Sequence, residues 1–195
     1  GKYIGANGMY NRATNTFTFD IMSGMENVAE ISYTAMIKTA GHELTHFIQN
    51  WSPSKYLTLK NTTLKFLTEE HSERWIEQQL KQIKGDNKAI GKNLTLEQAK
   101  DELVADAFEE VLSNIDFAET ILRTDKTLFD KIHSWVKKHA NDFKKNLGIA
   151  VKDVEANSEA AKEMRNAGKR AQALYDQWAD AFSTALENSS SGQTD

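Results

Sequence analysis

Residues 26–49, ENVAEISYTAMIKTAGHELTHFIQ, decide the fold. Val28, Ile31, Ala35, Leu44 and Ile48 recur at spacings of three, four and their multiples, which gathers them into one apolar stripe of a helix. Pro53 ends that helix, because the residue before a proline avoids the helical region. Within it stands His42-Glu43-Leu44-Thr45-His46, the H-E-x-x-H pattern. Four residues advance a helix by about 400°, so both imidazoles lie on one face, roughly 6 Å apart at their roots. Two neutral imidazoles so placed suit two corners of a tetrahedral zinc ion, and Glu43 stands beside them to accept a proton from water on the metal. Random placement of this composition gives the pattern in roughly 1 chain in 100, so its weight comes from the helix on which it falls.

Working outward, a single proline among 195 residues and long stretches of helical period predict a mostly helical chain. A second helix is expected from Ser54 or Leu57 to Ile83, closed by Gly85, followed by a loop over 85–93. Thr95 with Gln98 is a capping-box signature that opens a helix through Leu112. One or two helices are expected over 117–147, and a last one from about Asp153 to Leu186. The start of the chain reads differently. Thr16-Phe17-Thr18-Phe19-Asp20-Ile21 alternates polar and apolar after a turn-rich segment, which predicts a β-hairpin with Phe17, Phe19 and Ile21 on its buried face. The expected class is α+β but predominantly α-helical: an N-terminal β-hairpin, the H-E-x-x-H helix, then a helical bundle. It reads as one domain over 1–187, with the hairpin in 1–22, zinc-binding helices in 25–112 and C-terminal helices in 117–187. The stretch 188–195 has the composition of a polar tail or linker, and Gly1 stands where a start methionine would be, so the expectation is a domain of a longer polypeptide.

Composition narrows the function classes. Hydrophobic residues make up 39% and charged residues 27%, enough to build a globular core. A formal net charge of -4 argues against nucleic-acid partners, which select for an excess of Lys and Arg. No uncharged apolar run nears the roughly 20 residues that a membrane crossing needs, and no signal peptide is visible, so the default expectation is a cytoplasmic protein without a membrane partner. With no cysteine, thiolate metal sites and cysteine nucleophiles are excluded, and a metal must sit on His, Asp and Glu. The acidic run 97–119 and the lysine-rich run 126–152 read as solvated helix faces.

A third metal donor has to come from elsewhere. The extended pattern of the metzincins is absent, since it would need Gly and His where Gln49 and Ser52 stand. In Asp101-Glu102-Leu103-Val104-Ala105-Asp106, Glu102 and Asp106 share one helix face; Glu102 suits the metal and Asp106 the far nitrogen of a ligating His. Glu69, Glu70 and His71 are rivals, although clustered charges of that kind usually face water. Glu109 and Glu110 read as surface residues. For an oxyanion donor the candidates are His133, His139, Tyr33, Tyr56 and Tyr175, and nothing in the sequence selects one. The four tryptophans, Trp51, Trp75, Trp135 and Trp178, read as core.

Taken together, His42-Glu43-x-x-His46 and the downstream Glu102-x-x-x-Asp106 resemble the gluzincin metallopeptidases, the thermolysin-like class, and the run Glu102–Phe108 is similar to the corresponding helix of ImmA/IrrE-like peptidases. The resemblance spans about residues 9–112, with a longer gap, 56 positions from His46 to Glu102, than thermolysin-like enzymes have. It implies one zinc per chain on His42, His46 and Glu102, Glu43 as general base, and Asp106 as support for a ligating His. It further implies that a strand ahead of the helix, here Thr16, Phe17, Thr18 and Phe19, pairs with an extended peptide or protein substrate. Two other classes stay open. One is a non-catalytic helical interaction domain with a structural or vestigial metal. The other is a di-iron carboxylate oxidoreductase, for which Asp130-Lys131-Ile132-His133 is the sole second E-x-x-H-like element and carries Asp for Glu.

Overall fold

The computed structural model of the chain describes residues 8–11, 16–19, 28–150 and 159–191. Among the described residues from Val28 onward there are eight helices: α1 (Val28–Trp51), α2 (Pro53–Glu70), α3 (Glu73–Ala89), α4 (Leu96–Asp106), α5 (Phe108–Val111), α6 (Ile115–Thr124), α7 (Lys126–Ala150) and α8 (Glu159–Ser191). The expected α+β class is thereby corrected to an all-α fold. The body that carries the core has no strand among its described residues, and every buried side chain in it comes from a helix or a helix-to-helix turn. Ahead of it, Gly8–Asn11 and Thr16–Phe19 run antiparallel, from Gly8 opposite Phe19 to Asn11 opposite Thr16. Four residues a side make no layer, since a two-stranded ribbon is marginal without a third strand or a packed face. A six-residue alternation was too short-ranged a signal to set the class. The side chains of Thr16, Phe17, Thr18 and Phe19, and Ile21 as a whole, lie outside what is described, and with them the expected burial of Phe17, Phe19 and Ile21 and the expected substrate contacts of 16–19.

Helix α1 is the axis of the body. It packs on α8, α4 and α2, while α8 also packs on α6 and α7. Its inward residues, Ile37, Ala40, Leu44 and Ile48, meet a continuous core. Large aromatics seal the α7–α8 side: Phe129 stacks on Phe182 with ring centres 5.1 Å apart, and Tyr175 meets Trp178 edge-on at 5.2 Å. Trp135 and Trp178 are core residues as expected, whereas Trp51 is exposed at the end of α1, where Lys131 lies over its ring and that of Phe47.

Helix boundaries follow local chemistry. Pro53 opens α2 at its first turn, where its missing N–H costs nothing, and the Ser52 hydroxyl accepts from the Lys55 amide. The long second helix expected to reach Ile83 is instead two. The chain breaks at His71–Ser72, and the Ser72 hydroxyl caps α3 by accepting from the Trp75 amide. Gly85, expected to close a helix, lies inside α3. Thr95 and Gln98 form the expected reciprocal capping box, with bonds of 3.2 and 2.9 Å. The helix they open stops at Asp106, short of Leu112; a turn at Ala107 separates it from the single-turn α5. Asp125 starts α7 by accepting from the Leu128 amide and is tied back to α2 by Lys55 at 2.5 Å. The start expected for the last helix, near Asp153, lies outside the described residues. Among the described residues no helix is long and apolar enough to cross a membrane.

Candidate metal centre

The histidines owe their position to a glycine. Gly41 lies where α1 crosses α4, and a Cβ on it would stand 2.2 Å from the Ala105 carbonyl oxygen. Without a side chain there the two backbones close up, and the next residue of α1, His42, comes level with Glu102 on α4, one turn before Ala105. Its ring Nε2 donates to the Glu102 carboxylate at 2.9 Å, a contact between residues 60 apart in sequence. Beneath it Thr45 is buried and returns its hydroxyl to the Gly41 carbonyl at 2.9 Å, which satisfies a polar group that the core would otherwise strand. Both partners of the His42–Glu102 pair are more than a third exposed, because they form the wall of an open cavity of about 210 Å³. That cavity is lined by His42, His46 and Glu102, together with Gln49, Gln98 and Asp101.

A second cluster secures the α4 wall. Lys60 sits on the buried stripe of α2 formed with Tyr56, Leu59, Thr63 and Leu67. Its ammonium donates to Asp101 at 2.7 Å, to the Glu97 carboxylate at 3.0 Å and to the Glu97 carbonyl at 3.3 Å. The Tyr56 hydroxyl donates to the same Asp101 oxygen at 2.7 Å. Burial alone would lower the Lys60 pKa, but its hydrogen bonds to Asp101 and Glu97 and their charges outweigh that and hold it above the ordinary value. Burial, then the bond to Asp101 and the charges of Asp101, Glu102 and Glu97, push the Tyr56 hydroxyl far up, so it stays a donor. A lysine at helical spacing between Tyr56, Leu59, Thr63 and Leu67 is the sequence signal for this cluster, and Gly41, Lys60 and Asp101 have no role in the sequence analysis.

The structure thus brings His42, His46 and Glu102 to one cavity. Glu43 is half-buried on α1 and Asp106 half-buried at the end of α4, and the cavity lining includes neither. Imidazole nitrogen and carboxylate oxygen are donors that zinc takes, and two of them already meet within a hydrogen-bond length, so the donor chemistry fits the metal. His46 is exposed, and among the described residues no three His, Asp or Glu side chains converge as a ready-made set. The rival His71 lies elsewhere, stacked on Trp75 and bonded to Glu110 at 2.9 Å, and Glu69 and Glu70 are exposed. Of the oxyanion candidates, Tyr56 already gives its proton to Asp101 and Tyr175 is buried in the α7–α8 core. The side chain of Tyr33 lies outside the described residues. His133 bonds Ser183 at 3.2 Å and His139 the Trp135 carbonyl at 3.1 Å, away from the cavity. In the di-iron alternative, Asp130 is taken up by Lys126 on the surface of α7. No family model, curated protein or solved structure matches the chain, so the reading of this centre stands on its own residues.

Proposed function

We propose that the chain is a zinc-dependent metallopeptidase acting on peptide or protein substrates, with His42, His46 and Glu102 holding one zinc ion and Glu43 as general base. The observation that carries this is the 2.9 Å contact of His42 with Glu102, across two helices, at a cavity that His46 also lines. Bound zinc supplies Lewis acidity, polarising a peptide carbonyl and bringing the pKa of water to around 7. His42 and His46 bind through neutral imidazoles one helical turn apart, and Glu102 adds the anionic donor from the facing helix. Glu43, between the two histidines in sequence and not needed as a ligand, takes the proton from the attacking water and returns it to the departing amine. Asp106, one turn beyond Glu102, is assigned the support of a ligating imidazole.

The test separates base from ligand. The wild-type chain, purified without a polyhistidine tag, is expected to carry about one zinc by elemental analysis and to hydrolyse peptides from an unbiased library. Glu43→Gln should keep the zinc and lose the hydrolysis. A wild-type chain that takes up no zinc overturns the proposal, and so does a Glu43→Gln variant that hydrolyses as fast as the wild type.

A further inference from the structure

Building on the metallopeptidase reading, we infer that Lys60 and Tyr56 hold the Asp101 carboxylate back from the metal, so that zinc keeps three protein donors and one position open for water and substrate. Asp101 is the residue before Glu102 and lines the same cavity as His42, His46 and Glu102, which makes it the fourth carboxylate or imidazole on that wall. A fourth protein donor is what distinguishes a closed, structural zinc site from an open, catalytic one. Asp101 is already engaged through its Oδ1. One of its oxygens accepts from both Lys60 and Tyr56 at 2.7 Å, and both donors come from α2, behind the wall. The Lys60 side chain is only 8% exposed, and its ammonium is also bonded to Glu97. Were Asp101 to turn towards the metal, it would leave a buried ammonium short of its main partner, an arrangement that folded chains avoid. A brace between α2 and α4 needs no charge; apolar residues on that stripe would pack as well. A buried lysine there is explained by the carboxylate it neutralises.

The experiment uses the whole chain with cobalt(II) as a visible probe of coordination and competition with a chromophoric chelator for zinc affinity. Lys60→Met releases Asp101, and zinc should then bind about tenfold more tightly, with a changed shape of the cobalt d–d bands as a fourth protein donor enters. Adding Asp101→Asn to that variant should return affinity and spectrum to wild type. Tyr56→Phe removes one of two donors, keeps the ion pair, and should tighten zinc roughly two- to threefold. A brace with no role at the metal gives the opposite sign: weaker zinc and an unchanged cobalt spectrum in either variant, which overturns the inference. If Lys60→Met does not fold, Tyr56→Phe decides alone on the same two readouts. A wild-type chain that takes up neither metal overturns the metallopeptidase reading and this inference with it, whereas a metal-binding wild type with unresponsive variants overturns the inference alone.

Discussion

One added methyl group at Gly41 should undo both the α1–α4 crossing and the metal centre. Alanine normally stabilises a helix interior relative to glycine, by about 0.5–1 kcal/mol, so the default expectation for Gly41→Ala is a gain. Here the new Cβ would lie 2.2 Å from the Ala105 carbonyl oxygen and 3.1 Å from its carbon, where real Cβ contacts essentially never fall below 3.0 Å. The obstacle is helical backbone and cannot swing aside, so the helices must part by most of an ångström. Overpacking of that kind costs about 1–3 kcal/mol. Set against the helix gain, the net loss is about 0–2.5 kcal/mol, or a fall in Tm of up to roughly 10 °C for a chain of this size. The same movement lengthens the His42–Glu102 contact from 2.9 Å to beyond hydrogen-bond range, so zinc affinity should fall more than stability alone explains. Thermal unfolding of the metal-free variant, with zinc titration of the folded protein, reads both quantities. A Gly41→Ala chain as stable as wild type with unaltered zinc affinity would refute the reasoning.

Gly85 is the matched control: it lies within α3 and a Cβ there meets nothing within 4 Å, so Gly85→Ala should raise Tm by roughly 1–4 °C, and a fall would mean that the position has an unseen constraint. Glu102→Ala should weaken zinc by at least the roughly 10–100-fold that loss of an outer partner costs, as read by chelator competition; unchanged affinity would move the third donor elsewhere. Burial holds the His133 and His139 imidazoles below their ordinary pKa of 6.5, helped by the charge of Lys137 at His133 and of Lys138 at His139. The unfolded chain therefore takes up protons more readily, so their contribution to stability is complete above pH 6.5 and declines as pH falls below it. Melting curves of the metal-free chain should show that decline, and the His133→Gln/His139→Gln pair should flatten it; an unaffected slope would refute the assignment.

The parts of the molecule that were legible in the sequence are those written in local spacing. The Leu44 and Ile48 end of the α1 stripe, the Pro53 boundary and the Thr95–Gln98 capping box rest on spacings within a few residues, and each stands where the spacing puts it, while the side chains of Val28, Ile31 and Ala35 lie outside the described residues. The pairing of His42 with Glu102 was reachable because each lies on its own motif-bearing helix. What escaped depends on which helices meet. The role of Gly41 exists only opposite Ala105, and the Lys60 cluster only because α2 lies behind α4. The break at His71–Ser72 was missed because Gly85 offered a more conspicuous stop, yet a glycine inside a helix costs only about 1 kcal/mol and packing overrides it. The α+β expectation failed for the reverse reason: a clear period of two over six residues says how side chains alternate, and not whether a sheet exists to receive them.

The separation of 60 positions between His42 and Glu102 carries a kinetic consequence. Closing a loop that contains α2 and α3 is the cost of bringing the two donors together, so the centre belongs to the high-contact-order part of an otherwise locally connected helical protein. A newly made or refolding chain would form its helices well before it could retain the ion, and the time at which metal becomes resistant to a chelator would serve as a clock for the final docking of α4 on α1.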